Sequence, residues 1–198
     1  MTFSTAVRRI HMYFALFLFP WMLMYSLSTL VMNHRAVFVK TYGRGPVPYE
    51  KERELTYDGA FPADAEPRII SQQILDSLSL DGAHNVNRRK DGTLVINRSD
   101  LIHPRRITFN PADRKLVIEK MEYRSNALLE RFHRRRGYET GYRLDTAWAV
   151  SVDAVIIAMV FWVLSGLWMW WEMKLTRGLG ALALLGGATL FALFLATL

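Results

Sequence analysis

Cysteine is absent from this 198-residue chain. That single absence excludes a disulfide framework, thiolate-ligated zinc, an iron–sulfur cluster and covalently attached c-type haem. Any metal must be held by the five histidines, the carboxylates or the nine methionines. The signatures of soluble catalysis are missing too: no nucleophile elbow, no P-loop and no dinucleotide fingerprint. Gly43-Arg44-Gly45 is only a glycine-rich turn. Nothing repeats at a period long enough for a solenoid.

What is present is apolar and basic. Hydrophobic residues make up 51% of the chain and charged residues 22%. That mixture is odd for one soluble domain and ordinary for a membrane protein with a modest polar domain. The net charge is +7, and residues 34–145 carry most of it, with 21 Lys and Arg against 16 Asp and Glu. A segment of this kind can meet nucleic acid, anionic lipid or acidic ligands.

Three long apolar runs settle the class. Residues 10–32 carry no formal charge and extend about 34 Å as a helix, enough to cross a bilayer. Arg8 and Arg9 in front look like the start of a signal peptide, but the run is too long and no small-residue cleavage site follows, so an uncleaved signal anchor is expected. Pro20 within it is tolerable in lipid. Residues 146–171 form a second span closed by an aromatic belt at Trp168, Trp170 and Trp171. Residues 179–198 form a third, in which Ala183 and Gly187 make a small-residue face. Arg8, Arg9, Lys174 and Arg177 flank the spans on one side, which the positive-inside rule assigns to the cytoplasm. The expectation is a multi-pass protein of the bacterial inner membrane, with its N-terminus cytoplasmic and its central segment and C-terminus periplasmic. A nucleic-acid partner then drops out.

The central segment reads as a small α+β module. Residues 43–67, rich in Gly, Pro and charge, read as an extended approach. Residues 68–80 place Ile69, Ile70, Ile74, Leu75 and Leu78 at helical spacing before an Asp81-Gly82 stop. Four short strands follow: 84–90, 93–97 after the Asp91-Gly92 turn, and two more around Asn110-Pro111. The chain thus divides into a signal-anchor helix (1–33), an external α+β domain (34–125), an interfacial amphipathic segment (126–145) and a two-helix transmembrane hairpin (146–198).

Several stretches carry a resemblance. RRIHMYFALFLFPWMLMYSLSTLVMNHR resembles the first helix of PepSY-associated transmembrane proteins, and ITFNPADRKLVIE resembles the closing hairpin of a PepSY module. LLERFHRRRGY is similar to the family's leucine–histidine–glycine lead-in to a later helix, and LSGLWMWW to its Thr-Gly-Leu-x-x-Trp helix end. Larger members have four or more spans, against three here. The resemblance implies a membrane topology, a PepSY-like periplasmic domain and a link to iron or haem.

The histidines hold what chemistry remains. His11 and His34 flank the first span and lie too far apart to share one iron. His34 and His133 both fall at outer ends of spans, where two neutral imidazoles would serve a b-type haem as axial ligands. Arg35, Arg134, Arg135 and Arg136 are placed to meet its propionates. The plainer alternative leaves these residues as an interfacial collar on lipid phosphates and backbone carbonyls. His84 and His103 read as surface residues of the sheet. Asp153 sits two turns inside the second span, with Asp145 on nearly the same face; it is expected to face protein or a polar cavity, with proton movement or pairing with an interfacial arginine as the alternatives. Two functions follow. One is a haem-bearing electron carrier between quinol or a membrane partner and a periplasmic acceptor. The other is a non-catalytic accessory subunit that binds a periplasmic partner and docks on other membrane subunits or on a second copy.

Overall fold

A computed structural model describes residues 2–62, 65–135, 137–138 and 140–198. Three of its helical stretches are long and apolar enough to cross a membrane: α1 (Phe3–Asn33), the later helix α5 (Arg143–Glu172), and Lys174–Thr197, which begins in a 3-10 turn and continues as α6 (Arg177–Thr197). Pro20 is accommodated inside α1 without ending it. The chain forms two compact units, Met1–Met22 with Val152–Leu198, and Leu23–Ser151.

In the first unit α1 and α5 run antiparallel along a seam with coiled-coil spacing. His11, Phe14, Leu18 and Trp21 recur every three or four residues and therefore share one helix face. Leu18, Val155 and Ala158 are buried there, with Phe14, Trp21, Met159 and Trp162 packed around them. Phe14 stacks on Phe161 with centroids 6.2 Å apart, and Phe3 meets Trp168 edge-on at 5.3 Å. Ser4 donates to Glu172 at 2.5 Å, and Arg8 lies 3.6 Å from the same carboxylate. In contrast, α6 has no buried residue. Its close approach to α5 is at Gly180, where an added Cβ would run into the Trp170 indole, whereas Gly187 faces open space.

The second unit is a five-stranded antiparallel sheet under one helix. The strands are β1 (Tyr49–Thr56), β2 (His84–Arg88), β3 (Leu94–Arg98), β4 (Arg105–Asn110) and β5 (Lys115–Met121), in the order β1-β5-β4-β3-β2. After β1 the chain crosses the sheet through α3 (Pro67–Ser77), reaches the far edge at β2 and meanders back. Alternation on the strands turns Leu94, Ile96, Ile107, Phe109, Leu116 and Ile118 to the face on which α3 lays Ile70, Ile74 and Leu75. Each such apolar side chain removed from water contributes about 1.5–3 kcal/mol. Two short helices complete the unit, α2 (Arg35–Tyr42) and α4 (Ser125–Arg134).

Four strands were expected and five are found. The additional strand, β1, comes from the stretch read as an extended approach, and α2 was not anticipated. β1 alternates little in hydrophobicity because it is an edge strand; charge is what its exposed face requires. Its register on β5 is set by Tyr49 opposite Met121 through Thr56 opposite Lys115, with a bulge between Lys51 and Arg53.

Candidate functional site

The amphipathic helix α4 carries the histidine of interest. Leu128, Leu129 and Phe132 form its apolar stripe, and Phe132 packs 5.9 Å from Trp148 of α5. His133 is half-buried, with Nδ1 2.8 Å from Ser28 Oγ and its ring edge-on to Tyr25 at 5.2 Å. Ser28 itself donates to the Tyr25 carbonyl at 2.8 Å, so its oxygen accepts from the imidazole. His133 therefore carries its hydrogen on Nδ1 and keeps the lone pair on Nε2. His34 is exposed and donates Nδ1–H to Leu30 O at 3.0 Å, which leaves the same nitrogen bare.

These two imidazoles are anchored separately. Ser28 precedes His34 by six residues, about 9 Å along the helix and a third of a turn around it. Arg35 is exposed at the start of α2. In the first unit His11 repeats the pattern, with Nδ1 2.9 Å from Ser165 Oγ, whose hydrogen goes to Trp162 O. Its ring stacks on Trp162 at 5.5 Å, and Gly166 leaves room for it: a Cβ there would sit 3.4 Å from the imidazole. His84 and His103, read as surface residues, are both half-buried. His84 bonds Ser71 Oγ through Nε2 at 3.0 Å, tying β2 to α3. Among the described residues no three His, Cys, Asp or Glu side chains gather as a metal-holding group.

The arginines are mostly committed. Arg134 pairs with Glu130 one turn earlier at 3.1 Å, and Arg135 pairs with Asp145, which is buried. Arg136 lies outside the described residues. Gly137 explains the close packing of this loop: a Cβ there would collide with the Asp145 carbonyl and Ala149. Asp153, expected to face protein, is exposed on the side of α5 away from Val155 and Ala158.

Arg131 is the residue that sequence reasoning passed over. Its Nε donates to Leu101 O at 2.9 Å and its Nη1 to the Met121 thioether at 3.0 Å. Its Nη2 is buried without a hydrogen-bond partner among the described residues. Burial holds this guanidinium below the usual arginine range. A helical wheel contained the signal: Arg131 and Arg135 flank the Leu128–Phe132 stripe, while Glu130 and Arg134 lie opposite. Arg131 lines a cavity of about 430 Å³ together with Arg98, Arg105, Arg134 and Arg135.

No known protein family, curated protein or solved structure matches the chain.

Proposed function

We propose that the chain is an accessory subunit of the bacterial inner membrane, of the PepSY-associated kind, which displays its α+β domain in the periplasm and attaches to a larger membrane assembly. The observation that carries this reading is α6, an apolar helix of 21 residues none of which the rest of the chain buries. Apart from its approach to Trp170 at Gly180, a helix of that composition leaves its surface to lipid and to other membrane chains, and its small residues permit close approach. The test is mild-detergent purification of the full chain, followed by crosslinking from Phe191 or Leu184, both exposed on α6. Recovery in a complex larger than one chain, with crosslinks from α6, supports the reading. A monodisperse single chain without crosslinks overturns it.

A second reading has a specific observation in its favour. His133 and His34 each donate Nδ1–H to a fixed oxygen and keep Nε2 for a ligand, the arrangement that orients metal-bound imidazoles. Under that reading they would hold a b-type haem, which when bound would supply one-electron transfer between quinol and a periplasmic acceptor. The fit is partial, because Arg134 and Arg135 already face carboxylates. An absorption spectrum of the purified protein decides it. A low-spin haem spectrum lost in His133→Ala and kept in His103→Ala supports ligation. Protein free of haem despite ample supply leaves His133 as the strap between α4 and α1.

A further inference from the structure

The cavity beside Arg131 belongs to neither reading above. It opens where the ends of β1, β3, β4 and β5 meet α4 and the first turn of α5, all within the Leu23–Ser151 unit. Its volume of about 430 Å³ is in the range of small-ligand sites.

Among the described residues its charges do not balance. Arg98 is held by Asp100 at 2.9 Å, and Arg105 makes a two-pronged contact with Glu52 at 2.7 and 3.0 Å. Arg135 has Asp145, and Arg134 has Glu130. Four carboxylates thus serve five arginines, and among the described residues none pairs with Arg131. Arg131 is half-buried with one guanidinium nitrogen enclosed and unpartnered, Asp100 acts on it only through its charge, and a thioether is a weak acceptor. The apolar part of the wall comes from Leu101, Pro104, Met121 and the Tyr49 ring, and Leu101 and Met121 are the residues Arg131 itself touches.

We propose that this cavity binds a phosphate group, with Arg131 as its uncommitted cation. A phosphate oxygen that displaces the Met121 thioether meets the Arg131 fork in the two-pronged manner guanidinium favours. Arg134, whose side chain is 65% exposed, can swing from Glu130 to close on the same group. Two sources supply this chemistry. One is the headgroup of an anionic phospholipid, whose chains would run along the apolar wall toward α4's stripe; that source rests on the membrane reading. The other is free phosphate, which does not depend on it.

The experiment uses the full chain in a neutral detergent, titrated with dispersed phosphatidylglycerol, with phosphatidylcholine and with inorganic phosphate. The melting midpoint and native mass spectrometry are the readouts. Stabilisation by phosphatidylglycerol beyond phosphatidylcholine assigns the lipid source, and equal stabilisation by inorganic phosphate assigns the free anion. Arg131→Gln should weaken binding by about tenfold or more. Arg89→Gln, which removes an exposed arginine elsewhere, should not. Ser99→Glu is the check if Arg131→Gln fails to fold, because it keeps Arg131 and adds a competing carboxylate at an exposed residue of the cavity. No stabilisation by either probe, equal loss in Arg89→Gln, or full binding in Ser99→Glu overturns the proposal.

Discussion

At the scale of single residues, the informative groups are polar atoms whose partners lie far away in sequence. Ser28 and His133 are 105 positions apart, and no spacing rule connects them. Ser28→Ala removes the acceptor for a half-buried N–H, which costs about 1–3 kcal/mol where nothing replaces it. The expected outcome is a lower melting midpoint of the purified protein, while Ser26→Ala, one turn-face away, should leave it near wild type. Glu54 offers a pH test in the sheet. The Lys115 ammonium, 2.7 Å away, and then Lys51 hold its carboxyl down to about 2. A depressed carboxylate contributes stability that is fully present above the unfolded value of ~4.3 and is lost as pH falls through the folded one. The β1–β5 edge should therefore loosen between these two values. Lys115→Ala should return the Glu54 titration toward the ordinary carboxylate range, as followed by carboxyl NMR. A titration unmoved by the substitution would deny the contact.

Elements were legible where periodicity is strong. The three apolar spans and the α3 run announce themselves by length and by 3.6-residue spacing, and β3 to β5 by alternating Val, Ile and Leu between turn residues. β1 was not legible because YEKERELT has almost no apolar face; its strand character comes from pairing with β5 across the fold. The short helix α2 has no buried residue, so no apolar face marked it. The same limit hid Arg131. The triple arginine drew attention, yet what sets Arg131 apart is burial between α4 and the sheet, a tertiary property. Gly137 makes the element-scale prediction. Its place against the backbone of Asp145 and the side chain of Ala149 leaves no room for a methyl group, so Gly137→Ala should cost about 1–3 kcal/mol through overpacking. Gly178→Ala, with nothing near it, should be neutral or slightly stabilising in the same melting assay.

At the scale of the whole molecule, orientation is the property on which both functional readings depend. The three apolar helices require an odd number of crossings if all are inserted, and that places the residues between α1 and α5 opposite to the Arg8–Arg9 flank. By the positive-inside rule the expected sign keeps Arg8 and Arg9 before the first span, and Lys174 and Arg177 between the second and third, in the cytoplasm. The absence of cysteine makes this directly measurable, because a single introduced thiol is the only one a maleimide can find. Lys90→Cys places it on the exposed β2–β3 turn, and Thr5→Cys places it on the exposed face at the start of α1. A membrane-impermeant maleimide added to spheroplasts should label Lys90→Cys at once and label Thr5→Cys only after the membrane is opened. The reverse pattern would put the sheet in the cytoplasm and remove the ground for a periplasmic partner. Equal labelling of both before opening would mean that α1 does not cross the membrane. Either result would leave the phosphate cavity standing in its free-anion form, since its arginines are held by contacts within the Leu23–Ser151 unit alone.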